Sequence, residues 1–220
     1  MKIVLVHGAS VDGSSWRAVY DLLTADGHHV AVVQIPNLSL RGDVESTRLI
    51  TDAQDGPVVL VGHSYGGAVI TQAGNHDKVA ALVYIAAFAP DAGESVKALG
   101  GDSDAPGSPI VAGPGGFLFQ DRMKFHDSFG ADLPAADAEF MADSQVPWAV
   151  DAMSSAVTEP AWRSKPSWYL VATEDRMVPP SAQRAMAQQA GATTVEVAAS
   201  HAVYMSQPRA VADLIRRACV

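Results

Sequence analysis

The stretch Val58-Val59-Leu60-Val61-Gly62-His63-Ser64-Tyr65-Gly66-Gly67 runs an apolar, partly β-branched segment into a glycine-flanked turn with one serine at its centre. In a G-x-S-x-G turn the glycines lack a Cβ, so strand and helix approach closely. The middle residue is held in a strained backbone that projects its hydroxyl outward. The pattern recurs by chance in a chain with 18 glycines, so context decides its meaning. Here Ala68-Val69-Ile70-Thr71-Gln72-Ala73 follows without a breaker and completes strand, turn and helix. Ser64 is therefore expected to be a nucleophile.

Outward from this turn the chain keeps one rhythm. Lys2 to His7 reads as a buried strand. A loop, His7-Gly8-Ala9-Ser10 with Gly13, leads to a helix from about Ser14 to Ala25, with Trp16, Val19, Leu22 and Leu23 on one face. Strand His29 to Gln34, helix Asp43 to Ala53, strand Pro57 to Gly62, helix Tyr65 to Gly74 and strand Val79 to Phe88 follow. Such alternation implies an α/β fold, a parallel sheet with helices on both faces. After Pro90 the rhythm breaks for a long stretch rich in Gly, Pro, Asp and Ser. It resumes with strand Ser167 to Ala172, helix Pro180 to Ala190, strand Thr193 to Ala198 and helix Gln207 to Ala218. The expected layout is a six-stranded, mostly parallel sheet built from residues 1–89 and 166–220, with residues 90–165 inserted.

The insertion is expected to hold helices near Asp121 to Phe129, Pro134 to Asp143 and Pro147 to Val157. Long structured insertions in compact domains are often active-site lids; the alternative is a peripheral subdomain with its own small core. Phe117, Phe119, Phe125, Phe140 and Trp148 are its large apolar landmarks. As a cap it would put Phe125, Phe140 and Trp148 against the substrate, opposite Ser10 and Met177 of the core.

Composition sets outer limits. A chain of 220 residues, 48% hydrophobic and 18% charged, suits one soluble domain with a sizeable core. Its formal charge of -9, with no basic cluster, argues against nucleic acid or an anionic membrane surface as partner. A single cysteine, Cys219, excludes an intrachain disulfide. The N-terminal residues do not follow signal-peptide order, so a cytoplasmic protein is expected. The longest apolar run, between Lys78 and Pro90, is too short to cross a bilayer.

A serine hydroxyl needs an adjacent base, and the base needs a group to orient it. Chemistry in open α/β sheets sits beyond the carboxyl ends of strands, so both partners should follow strands. Asp175 follows Ser167 to Ala172, and His201 follows Thr193 to Ala198. Of the seven histidines, His201 stands alone after the last strand; His7 and His63 suit structural hydrogen bonds, and His126 could line a pocket. Glu174 is the nearest rival to Asp175. A tetrahedral oxyanion needs two backbone donors, expected at Ala9 and Tyr65, with Gly8 permitting the backbone that aims the Ala9 amide inward.

These segments, together with Val6-His7-Gly8-Ala9, Trp16 and Ala86-Ala87-Phe88-Ala89-Pro90, resemble the α/β-hydrolase superfamily over the whole chain. The resemblance is to the plant-type esterase and hydroxynitrile lyase group that includes salicylate-binding methylesterases. It implies a cofactor-free serine hydrolase acting on a small carboxylic ester through an acyl-enzyme. Lyase or C–C bond hydrolase chemistry with the same triad, or a receptor-like ligand-binding protein, are the alternatives. A haloalkane dehalogenase would carry an aspartate at Ser64. The lyases of the group carry a threonine at the Gly8 position and a lysine after the histidine, where this chain has Ala202. No metal-ligand motif, Walker loop or dinucleotide fingerprint occurs, so neither a metal nor a nucleotide cofactor is expected.

Overall fold

The computed structural model describes residues 1–100 and 108–219. The first half alternates β1 (Lys2–Val6), α1 (Arg17–Ala25), β2 (His29–Val33), α2 (Leu40–Asp52), β3 (Val58–His63), α3 (Tyr65–Ala73) and β4 (Val79–Ile85). The insertion carries α4 (Val96–Gly100), β5 (Ile110–Ala112), β6 (Phe117–Gln120), α5 (Arg122–Phe129), α6 (Ala135–Asp143), β7 (Trp148–Ala149) and α7 (Val150–Ser154). The chain then returns through β8 (Ser167–Ala172), α8 (Pro180–Gln189), β9 (Thr193–Val197), α9 (Val203–Ser206) and α10 (Pro208–Ala218).

The main sheet has six strands in the order β2-β1-β3-β4-β8-β9, with every neighbouring pair parallel. Its four central strands, β1, β3, β4 and β8, are buried on both faces, while the edge strands β2 and β9 are partly exposed, and alternate residues feed two cores. Val4, Val6, Leu60, Tyr84 and Val171 face one side, under α2, α3 and α8. Ile3, Leu5, Val61, Val83 and Leu170 face the other, against Trp16, Val19 and Leu23 and against Val211, Leu214 and Ile215 of α10. Strand order reverses at the β1–β3 boundary, where an open α/β sheet opens a crevice at its carboxyl edge.

Several boundaries differ from those read in the sequence, each for a local reason. α2 starts before Asp43 because Ser39 caps it, its Oγ accepting the Gly42 amide at 3.1 Å. β4 stops at Ile85 because Ala86 turns into the left-handed region at φ 46°. The helix expected over Pro147 to Val157 is instead the short strand β7 followed by α7. β7 pairs antiparallel with β6, Leu118 opposite Trp148, and β6 pairs with β5, Ile110 opposite Gln120. This second, three-stranded sheet had no counterpart in the sequence reading. Among the described residues no helix is long and apolar enough to cross a membrane.

Candidate active site

Ser64 stands between β3 and α3 at φ 53°, ψ -124°, a backbone that non-glycine residues rarely adopt. Its surroundings hold it there. The Ser64 amide donates to the Ile85 carbonyl at 3.3 Å, and the Ser64 carbonyl accepts from Gly67 and Phe88, both at 3.0 Å. The glycines supply room: a Cβ on Gly62 would lie 2.5 Å from the Gly66 carbonyl oxygen, and one on Gly66 equally close to that of His7.

The loop after β1 presses on this turn. A Cβ on Gly8 would meet the Ser64 Cβ at 2.8 Å, so no side chain fits there. The requirement at Gly8 is thus space rather than an unusual φ, and the left-handed residue of the loop is Ser10, at φ 62°. His7 fixes the loop. Its Nε2 accepts the Ile35 amide at 3.0 Å, so the ring proton sits on Nδ1 and is donated to the Gly8 carbonyl at 2.8 Å. Burial holds the His7 pKa below its ordinary value, in keeping with a neutral ring.

His201 and Asp175 meet as their positions after β9 and β8 suggest. His201 Nδ1 lies 2.7 Å from Asp175 Oδ2, and both side chains are almost completely buried. The other carboxylate oxygen accepts the amides of Met177 at 2.7 Å and Val178 at 2.9 Å. Gln183 of α8, which the sequence did not single out, donates to Asp175 Oδ2 at 2.8 Å and to the Val178 carbonyl at 2.7 Å. Its own oxygen accepts the Ala172 amide at 3.0 Å, so this buried amide is used at both ends. Glu174 is exposed.

Ser64 and His201 line one cavity of about 210 Å³, with Ala9, Ser10 and Tyr65 beside them. Met177 and, from the insertion, Leu118, Phe119 and Trp148 complete much of the wall. Two residues expected there are elsewhere. Phe125 is fully buried behind the cavity wall, stacked on Phe129 at 5.0 Å between centroids. It is Phe129, one helical turn on, that lines the cavity and meets the His201 ring edge-on at 4.9 Å. Phe140 is 70% exposed and borders a separate hollow, because α6 turns Ala138, Met141 and Ala142 inward. His126 bonds the Leu133 carbonyl at 3.1 Å within the insertion.

Beneath Tyr65 lies a buried carboxylate that the sequence did not mark. Tyr65 Oη donates to Asp43 Oδ2 at 2.6 Å, and the Asn37 amide donates to Asp43 Oδ1 at 2.9 Å. Burial pushes the Asp43 carboxyl up to about 6, against the opposing pull of those two bonds. Burial and the adjacent Asp43 charge raise the Tyr65 phenol, so it stays a donor. Among the described residues no group of three or more His, Cys, Asp or Glu side chains is placed to hold a metal ion.

The profile of the alpha/beta hydrolase family matches residues 3–214. The chain belongs to that family. Over 97% of its length and 85% of the relative's it is 30% identical to a pyrethroid hydrolase of Sphingobium wenxiniae. It is 36% identical to salicylic acid-binding protein 2 of Nicotiana tabacum, over 40% of each chain. Among solved structures, polyneuridine aldehyde esterase superposes with a TM-score of 0.83 at 20% identity, over 100% of this chain and 99% of the other. The pyrethroid hydrolase of Sphingobium faniae JZ-2 does so with a TM-score of 0.81 at 24% identity, over 99% and 96%. The α/β-hydrolase fold expected from the sequence is the fold observed, and the hydrolase has esterase-type relatives.

Proposed function

We propose that this hydrolase cleaves a small, largely apolar carboxylic ester through an acyl-enzyme on Ser64. The observation that carries the proposal is the 2.7 Å contact of His201 Nδ1 with Asp175 Oδ2, beside a cavity that His201 shares with a serine in a strained turn. Asp175 keeps the His201 proton on Nδ1 and leaves Nε2 free to accept one. Ser64 Oγ attacks the ester carbonyl as Nε2 takes its proton, and the resulting imidazolium is stabilised by Asp175. That proton then passes to the leaving alcohol, and water repeats the sequence on the acyl group.

The amides of Tyr65 and Ala9 receive the oxyanion. The Tyr65 amide opens α3, where the first turn of a helix offers N–H groups without intrahelical partners, and Gly8 brings the Ala9 loop against Ser64. The insertion acts as a cap, since Leu118, Phe119 and Trp148 close the cavity from its side. That apolar wall suits an alkyl or aryl group on the ester. Relatives named as pyrethroid hydrolase, carbendazim hydrolyzing esterase and methylesterase support ester cleavage as the reaction type.

The test is labelling and turnover together. A fluorophosphonate should modify one serine, and Ser64→Ala should abolish both labelling and hydrolysis of short-chain 4-nitrophenyl esters. Labelling that persists in Ser64→Ala would refute the proposal. Saturable ligand binding by a wild-type protein that neither labels nor turns over would point to a receptor instead.

A further inference from the structure

β6 presents alternate residues to opposite sides, and Leu118 and Gln120 are its two buried positions. Both line the cavity, together with Ile110 and Trp148, their partners in the register of the small sheet. Three of these four side chains are apolar. The fourth is an amide, only 6% exposed, whose Oε1 is buried and finds no hydrogen-bond partner among the described residues. An unpaired polar atom at an otherwise apolar position destabilises the fold, and a leucine there would not incur that cost.

The backbone of Gln120 is held with unusual completeness for a strand end. The Gln120 amide donates to Gln145 Oε1 at 2.8 Å, and the Gln120 carbonyl accepts from Gln145 Nε2 at 3.0 Å. Gln145 Nε2 is shared with the Ala142 carbonyl at 3.0 Å, which ties this mimic of a neighbouring strand to the end of α6. One glutamine is thus spent on main-chain groups while the side chain it positions is left unsatisfied. Buried amides that lack a partner and lie in a binding cavity are commonly completed by ligand.

We propose that Gln120 is a polar recognition point in the cavity and that the substrate is an ester carrying a hydroxyl or carboxamide group away from the reacting carbonyl. Both groups donate and accept, so they serve whichever end of the Gln120 amide turns to the cavity. The apolar neighbours Leu118, Ile110 and Trp148 bind the carbon skeleton, and Gln120 selects the polar substituent. This inference rests on the esterase reading of the same cavity.

The experiment compares paired 4-nitrophenyl and alkyl esters that differ only by a terminal hydroxyl or carboxamide in place of methyl. The substituent is placed in the acyl or the alcohol chain over a range of lengths. In Gln120→Leu and Gln120→Met the ratio of kcat/KM between the polar ester and its methyl partner should fall about tenfold at the best-matched length, the loss of roughly one buried hydrogen bond. A ratio identical in wild type and both variants at every length would overturn the inference. Calorimetric binding of the corresponding non-hydrolysable ketone pairs gives the same ratio without turnover. A wild-type protein that cleaves none of the esters yet discriminates the ketones through Gln120 would sink the esterase reading and leave the polar contact standing. Turnover without discrimination would do the reverse.

Discussion

The ring of His63 lies 3.0 Å, through Nε2, from the main-chain carbonyl of His201, so the residue before Ser64 supports the loop that carries His201. Burial holds the His63 pKa well below its ordinary value, with the neighbouring His201 adding to the effect. Its one proton therefore sits on Nε2 and is donated to that carbonyl, while Nδ1 lies close to Gly8 without a partner among the described residues. His63→Phe keeps a ring of similar size and removes the donor. It should lower kcat by on the order of tenfold to a hundredfold through misplacement of His201, with KM little changed. The buried His201 carbonyl left unpaired should lower stability by about 1–3 kcal/mol in urea titration. An unchanged kcat would show that the loop holds without His63.

The Asp175 carboxylate accepts four hydrogen bonds, two from main-chain amides, one from Gln183 and one from His201. Asp175→Asn should preserve the fold but let His201 adopt the wrong tautomer, lowering kcat by about 10⁴, as the same exchange does in a serine protease triad. Gln183→Leu should leave the tautomer intact and loosen the carboxylate. The expected result is a smaller fall in kcat, on the order of tenfold, together with a loss of stability of about 1–3 kcal/mol from unpaired buried groups. Glu174→Gln should be silent, since that side chain is exposed. Kinetics of all three variants on one ester separate these roles.

The positions of Ser64, Asp175 and His201 were legible because each depends on local order: an apolar strand, then a turn, then the polar residue. The parallel sheet was legible for the same reason, as the period of the apolar residues switched at each element. The insertion was opaque where side-chain direction depends on tertiary pairing. Trp148 lines the cavity as expected, but from the strand β7 paired with β6 and not from a helix, and a two-residue strand leaves no readable pattern. Phe125 and Phe129 lie one turn apart on the same face of α5, and only the packing of that helix decides which of them borders His201. Gln183 and Asp43 are polar residues of amphipathic helices, indistinguishable in sequence from solvated ones until the fold buries them.

The contrast among insertion aromatics gives a three-way prediction. Trp148→Ala removes a wall of the cavity and should change the preference between small and bulky esters by about 1–3 kcal/mol in relative kcat/KM. Phe125→Ala empties a fully buried site and should reduce stability by about 3–5 kcal/mol, with the preference between esters less affected. Phe140→Ala, at a residue 70% exposed, should stay within about 0.5 kcal/mol of wild type in stability and leave the preference as it is. Denaturant titrations and a panel of esters of graded size give both readouts. A Phe140→Ala variant with altered preference would mean that the substrate path runs through the neighbouring hollow.

Asp43 ties the site to the insertion, since it binds Tyr65 and the Asn37 amide while the Asn37 carbonyl accepts the Ala149 amide at 2.9 Å. Trp148, the residue before Ala149, packs on the Tyr65 ring at 5.3 Å between centroids. Burial raises the Asp43 carboxyl from 3.8 to about 6 in the folded protein. Between about pH 4 and 6 the folded chain therefore binds more protons at this site than the unfolded chain, and stability falls as pH rises through that window. The total from this one group is at most ~3 kcal/mol, complete once pH exceeds the folded value. Asp43→Asn cannot titrate there. Its stability relative to wild type should rise from about pH 4 to about pH 6 and then stay level, whatever the fixed effect of the exchange. Urea titrations of both proteins at half-unit pH steps give the difference curve. A flat curve, or one that falls with pH, would show that the hydrogen bonds from Tyr65 and Asn37 keep the Asp43 carboxylate ionised in spite of its burial.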